Sequence, residues 1–323
     1  MSEKKRTFTD VDPATLTEPT PLAIGLFGYT STGKTESALR LAFGMRRVYG
    51  GEVYFADTDN GRGQQYKSMF PFRYIDFPAP HNALDYADLI EAYAEKRGVL
   101  VIDQMTEEHD GEDGLLDTQA RVKGGNEKKN AVAWGVAKGQ HKRLVRVFRR
   151  VMRTLPIIVT WRAQDKLDWS HRNEEGKIEP VGLGQMPIGS KDLPFEMTAT
   201  YLLPPGSRGV PCLAPKSYGE VIMTKIPRFL ETMIPEGERF GEAHGEAMAR
   251  WAVGDDKPEA YRRFAAELAA ATTEADIRRI GVEVAALVRA RDITRAEADR
   301  LGAIAAERRA ALAAAAEPAA TGG

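Results

Sequence analysis

Gly28-Tyr29-Thr30-Ser31-Thr32-Gly33-Lys34-Thr35 sets two glycines five positions apart and follows the second with a lysine and a hydroxyl. Glycines at that spacing let the backbone wrap closely around an anion, so that successive N–H groups and the N-terminus of a following helix all donate inward. The flanks suit this. The apolar run Leu22–Phe27 precedes the loop and a helical stretch opens near Glu36, giving the order strand, loop, helix. In that order Lys34 reaches the outer phosphates of a nucleoside triphosphate, and Thr35 offers its hydroxyl to Mg²⁺. Tyr29, Thr30, Ser31, Thr32 and Glu36 complete the cradle, and the expected ligand is ATP or a close relative with Mg²⁺. The bland alternative is a glycine-rich turn with an idle lysine; the correct flanks weigh against it.

Two further segments deliver carboxylates. Val99-Leu100-Val101-Ile102-Asp103 is an apolar strand ending in an acid, which places Asp103 beside the water shell of Mg²⁺ as the second metal-binding residue after Thr35. Val53-Tyr54-Phe55-Ala56-Asp57-Thr58-Asp59-Asn60-Gly61 brings Asp57 and Asp59 to the same edge, where one of them can orient an attacking water. The competing reading is that both acids only cap the following turn.

The elements that must position these groups alternate. Leu22–Phe27, Val53–Ala56, Val99–Ile102 and Ile157–Thr160 are apolar and too short for helices, whereas Ser37–Tyr49, Ala83–Lys96 and Gln140–Leu155 carry helical spacing. Strands alternating with helices predict an α/β core with a mostly parallel, covered sheet. After Asp192 the segments Ala199–Leu203, Val210–Ala214 and Glu220–Lys225 are broken by Pro204, Pro205, Gly206 and Gly209, and read as an antiparallel extension of that sheet. The expected layout is a flexible arm at 1–20, a core at 21–253, a helical appendage at 258–314 and a disordered tail at 315–323. In the appendage Thr273 with Asp276, and Thr294 with Glu297, carry capping-box spacing, and Ile277, Ile280, Val284 and Leu287 share one helical face. A small docking bundle for a protein partner fits this pattern.

Composition narrows the setting. The chain has 323 residues, a formal net charge of -1 and one cysteine, Cys212, which cannot form an internal disulfide. No apolar run approaches a membrane span and the first residues lack a secretory core, so the expected compartment is the cytoplasm, with no membrane partner. The histidines lack metal-ligand spacing, and no structural zinc is expected. Any attraction to nucleic acid must therefore come from local clusters. Lys138–Arg153 holds Lys138, Lys142, Arg143, Arg146, Arg149, Arg150 and Arg153 with no acid, opposite an apolar stripe of Leu144, Phe148, Val151 and Leu155. That face contacts phosphates or is a solvated or subunit-facing surface. Two long polar insertions, Gln104–Asn130 and Asp165–Lys191, follow strands, and the second sets Trp169 among Lys166, His171, Arg172 and Lys177. An aromatic among cations suits base stacking with single strands, and a packed tryptophan is the alternative.

With these pieces in order, residues 20–252 or so resemble RecA-like ATPases, in particular phage-encoded RecA-core proteins of single-strand annealing and recombination. The resemblance rests on Gly28–Thr35, Asp57–Asp59, Val99–Asp103, the run Ile157-Ile158-Val159-Thr160 leading to Gln164, Lys225-Ile226-Pro227-Arg228, and Gly241–Glu246 followed by Trp251. It implies ATP hydrolysis, self-association as a ring or filament, and binding of single-stranded DNA, in host cytoplasm if the chain is phage-encoded. It implies that Asp59 stands where the family usually has a water-activating Glu, one methylene longer, so hydrolysis is slow or the backbone approaches more closely. It implies that Gln164 relays nucleotide state, and that Lys225 and then Arg228, with Lys216 nearby, reach a neighbour's γ-phosphate, since no arginine near the loop is obviously placed to do so. Against a phage recombination or annealing ATPase stand a nucleotide-dependent assembly or regulatory protein without DNA binding, and a helicase or helicase-loading motor.

Overall fold

The computed structural model describes residues 10, 21–213, 223–254, 259–290, 293 and 295–316. The arm at 1–20 apart from Asp10, residues 214–222 with Lys216 and the first part of the strand expected over Glu220–Lys225, residues 255–258, 291–292, Thr294 and 317–323 lie outside the described residues. In chain order the first part runs β1 (Ala23–Gly28), α1 (Lys34–Tyr49), β2 (Glu52–Asp57), β3 (Arg73–Asp76), α2 (Ala83–Tyr93), β4 (Gly98–Asp103), α3 (Glu107–Asp110), α4 (Leu115–Lys123) and α5 (Asn130–Val151). It continues with β5 (Ile157–Asp168), β6 (Val181–Pro187), α6 (Asp192–Glu196), β7 (Ala199–Leu203), α7 (Arg228–Glu231) and α8 (Glu242–Ala252). Three more helices follow: α9 (Glu259–Ala270), α10 (Glu274–Ala290) and α11 (Arg295–Ala316).

The sheet has the order β3-β2-β4-β5-β1-β7, with β6 pairing off the path onto β5. Every pair along the path is parallel, and only β5–β6 is antiparallel. Alternate residues of the central strands face opposite layers, as strand geometry demands. Ile24, Leu26, Phe55, Val101 and Ile158 pack with α1 and α8, while Phe27, Leu100, Ile102, Val159 and Trp161 pack with α2 and α5. Both faces are covered, which is why these strands read as continuous apolar runs.

Three differences from the sequence reading have physical causes. Ala199–Leu203 is not part of an antiparallel extension: after the β5–β6 hairpin the chain crosses over through α6 and returns parallel to β1, pairing Ile24 with Ala199 and Gly28 with Leu203. Antiparallel pairing beyond it is limited, among the described residues, to the single bridges Leu202–Cys212 and Thr200–Lys225. Second, α5 begins at Asn130 rather than near Gln140. Gly135 and Gly139 each lower helix propensity by about 1 kcal/mol, yet Ala133, Ala137, His141 and Leu144 are buried at helical spacing and carry the extra turns. Third, Asp165–Lys191 is largely a hairpin continuing β5, not an irregular insertion.

The last layer on the first face is set by two glycines. A Cβ at Gly44 of α1 would lie 1.9 Å from the Glu242 carbonyl oxygen, and one at Gly245 of α8 would lie 2.1 Å from that of Leu41. Backbone-to-backbone contact of this kind brings α8 onto α1, and Arg47 secures it through ion pairs to Glu242 and Glu246.

Residue contacts divide the chain between Val253 and Gly254. The second unit has its own core of Phe264, Leu268, Ile277, Ile280, Val284, Ile293 and Leu301. Thr273 and Asp276 form the reciprocal cap, Asp276 N–H donating to Thr273 Oγ1 at 3.2 Å and Thr273 N–H to Asp276 Oδ2 at 3.1 Å. The last helix runs to Ala316, past the expected boundary at 314. No helix among the described residues is long and apolar enough to cross a membrane.

Candidate nucleotide site

The loop between β1 and α1 is bent by residues in left-handed conformations, Ser31 at φ 64° and Gly33 at φ 93°. A side chain at Gly33 would be strained and would also press on Gly209 N at 2.7 Å, so glycine is required there. Gly28 is equally confined, since a Cβ would lie 2.3 Å from the Leu203 carbonyl oxygen. Gly209 N–H in turn donates to the Thr32 carbonyl at 2.8 Å and ties the loop to the segment after β7.

Lys34 folds back over the loop, its Nζ donating to the carbonyl oxygens of Gly28 at 3.0 Å and Tyr29 at 2.7 Å. Burial lowers its pKa to about 8, with Asp103 and Asp59 opposing the shift and Arg162 adding to it. Thr35 Oγ1 donates to Asp103 Oδ2 at 2.7 Å, and the Thr160 hydroxyl donates to the other oxygen, Oδ1. Asp103 is buried, which raises its pKa, while the two hydroxyls and Lys34 hold it down. Lys34 and Asp103 thus each lack countercharge of the kind that a phosphate and a metal ion would supply. The residues fit Mg·ATP: Lys34 and the loop N–H groups for phosphates, Thr35 and Asp103 for Mg²⁺ and its waters.

A cavity of about 380 Å³ opens beside this pair, lined by Thr30, Lys34, Asp59, Asp103, Gln104 and Arg162 among others. Asp57 and Asp59 part ways here. Asp57 is buried and spends both oxygens on its own loop, accepting from Asp59 N–H, Gly63 N–H and the Tyr74 hydroxyl. Asp59 lies at the cavity wall, 3.2 Å from Arg62 and 3.7 Å from Arg162.

The expectation that no arginine near the loop is placed to meet the γ-phosphate is corrected: Arg62 and Arg162 both line the cavity. Arg162 pairs with Glu107 at 3.2 Å and donates through Nε and Nη2 to the Gln104 amide oxygen, at 2.9 and 2.8 Å, in the amide orientation that satisfies both groups. In the sequence only the alternation of Thr160, Arg162 and Gln164 along one strand face is visible; that this face meets Asp103 shows only in the fold. Gln164 lies one step further, opposite Met186 in the hairpin, and does not line this cavity. Lys225 and Arg228 do not line it either. Lys225 Nζ donates to the carbonyls of Phe195 at 3.2 Å and Met197 at 2.6 Å, and Arg228 is exposed at the start of α7. Glu36 opens α1, holds Arg40 at 2.7 Å, and faces a second cavity of about 330 Å³ with Gly33, Arg208 and Arg239. Tyr29, whose pKa is raised by burial and by Asp165, bonds through its hydroxyl to that acid at the root of the hairpin.

The basic face of α5 is partly neutralised from outside the helix: Arg143 pairs with Asp88, Arg149 with Glu196 and Arg150 with Glu91. Trp169 is 63% exposed on the hairpin, near the exposed Leu167, Ile178 and Val181, so it is not a core residue.

A family model described as an AAA domain matches residues 20–185, just over half of the 323-residue chain. No curated protein matches the chain. The matched span begins at β1 and takes in the phosphate loop, Asp59, Asp103, Arg162 and the hairpin, so the chain belongs to the AAA domain family of P-loop ATPases.

Proposed function

We propose that the protein hydrolyses ATP with Mg²⁺ and uses the nucleotide state to control its grip on single-stranded DNA. The observation that carries the coupling is the course of β5. One strand leads from Thr160 on Asp103, through Arg162 in the phosphate cavity and past Gln164, to the hairpin that exposes Trp169 beside Lys166 and Arg172. A continuous strand is a physical connection along which a displacement at one end can reach the other, and the irregular register between Lys166 and Leu167 gives the hairpin a point at which to bend. Stacking on an exposed aromatic with nearby cations is the usual way of holding a single strand without sequence preference.

In this reading Thr35 and Asp103 would hold Mg²⁺, which would supply positive charge against the outer phosphates. Lys34 binds those phosphates, Asp59 orients the attacking water, and Arg162 stabilises the charge that develops. A carboxylate one methylene shorter than glutamate reaches less far, and slow turnover is expected. Self-association as a ring or filament belongs to the same proposal, with Arg228, exposed and without an ion pair among the described residues, able to cross an interface, and Lys225 already bonded to its own chain's carbonyls. The downstream role that fits is annealing or recombination of phage type.

Fluorescence anisotropy of a labelled oligo(dT) tests the reading. Affinity should differ at least several-fold between Mg·ATP and no nucleotide, and Trp169→Ala should weaken binding in both states. Equal affinity with and without nucleotide would remove the coupling; no binding in either state would leave an ATPase with another partner.

A further inference from the structure

Away from the phosphate loop, a cavity of about 340 Å³ lies between α3, α5 and the segment before α6, lined by Trp134, Lys138, His141, Lys142, Lys191 and Asp192 among others. Its base is a buried pair. His141 Nδ1 lies 2.9 Å from Glu108 Oε1, with the side chains 3% and 2% exposed. With Nδ1–H donating to Glu108, Nε2 is the ring's remaining polar atom, an acceptor in the neutral imidazole and a donor in the imidazolium. Among the described residues Nε2 is buried without a hydrogen-bond partner, and Asp192 Oδ2 lies 3.7 Å from it. His109 Nδ1, on another wall of the same cavity, is likewise buried without a partner. A buried imidazole nitrogen without a partner costs stability, and a ligand that hydrogen-bonds to it recovers the loss.

The rest of the wall defines that ligand. Arg143, Arg149 and Arg150 further along α5 are paired with acids, whereas Lys138, Lys142 and Lys191 have no ion pair among the described residues. Three such lysines against the one exposed acid, Asp192, favour an anion. Trp134 is half-buried, with Lys138 Nζ 5.4 Å from its ring centroid, and offers an aromatic surface beside the cations. The volume is at the small end for ligand cavities and holds one nucleotide-sized group.

We propose that this cavity binds one nucleotide unit: its phosphate on Lys138, Lys142 and Lys191, its base against Trp134, and a polar group of its base or sugar hydrogen-bonded to His141 Nε2. The unit can belong to a nucleic-acid strand or be a free mononucleotide. The strand source rests on the DNA-binding reading above; the free source does not.

The full-length chain tests this with two probes, fluorescein-labelled oligo(dT) by anisotropy and free deoxythymidine monophosphate by calorimetry. Trp134→Leu should lose about five- to one-hundred-fold in affinity, the span expected for one stacked base, and Trp134→Phe should recover most of it. Lys138→Ala/Lys142→Ala/Lys191→Ala changes only surface lysines; it should weaken oligonucleotide binding and flatten its salt dependence by up to about 0.7 per lost phosphate contact. These effects on oligo(dT) alone assign the site to a strand, and a Trp134-dependent loss of monophosphate binding assigns it to free nucleotides. Oligonucleotide binding that persists unchanged in every variant, with no Trp134-dependent monophosphate binding, overturns the inference while leaving the DNA reading intact. Monophosphate binding at Trp134 without oligonucleotide binding removes the DNA reading and leaves this one.

Discussion

Lys34 and Asp103 face each other across the phosphate loop with opposite shifts from one cause: each charge is buried with too little countercharge nearby. For Lys34 the consequence can be measured. With a pKa of about 8, the lysine is mostly charged below pH 8 and mostly neutral above it. Phosphates stabilise the ammonium, so the pKa rises in the complex, and binding above pH 8 must take up a proton. ATP affinity should therefore be flat below pH 8 and fall by up to about tenfold per pH unit above it, until the pKa of the complex is reached. Calorimetry at two pH values, in buffers of different ionisation enthalpy, reads both the affinity and the proton uptake. Flat affinity to pH 9.5 with no uptake would show that burial does not hold Lys34 near pH 8 or that it does not meet the phosphates. Gly28–Thr35 and Asp103 were legible in the sequence because their chemistry is local, set by the flanking strand and helix. Arg162 was not, since its meaning depends on which strand lies between β4 and β1, and only the sheet order shows that β5 does.

At the scale of elements, apolar runs named the central strands correctly because both of their faces are covered. The edge strand Arg73–Asp76, with no fully buried residue, left no such signal. The direction of Ala199–Leu203 was likewise beyond local reading, since turn residues on either side say nothing about a crossover through a five-residue helix. The contact of α1 with α8 gives a stability prediction in which two effects compete. Gly245→Ala gains up to about 1 kcal/mol of helix propensity, but the added Cβ would meet the Leu41 carbonyl oxygen at 2.1 Å. Backbone cannot swing aside as a side chain can, and overpacking of this kind costs about 1–3 kcal/mol, so the packing effect wins. The variant should unfold at lower denaturant than wild type with little change in slope. A gain in stability would show that the helices part freely, and that the glycines are not what sets their spacing.

At the scale of the whole molecule, each unit carries a separate apolar core, and the matched domain lies within the first. A chain ending at Val253 should fold cooperatively and bind ATP within about threefold of the full chain, because the residues at the loop, Asp103 and Arg162 all precede the cut. Loss of binding in a folded truncation would give the helical unit a direct part in the nucleotide site. The proposal as a whole turns on one assay, phosphate release from Mg·ATP by wild type and Asp103→Asn, each with and without oligo(dT). Wild type should release phosphate slowly and faster with the oligonucleotide, while Asp103→Asn should bind ATP and turn it over on the order of 10²-fold more slowly. Equal turnover in the two proteins, or no release by wild type under any of these conditions, would contradict the account.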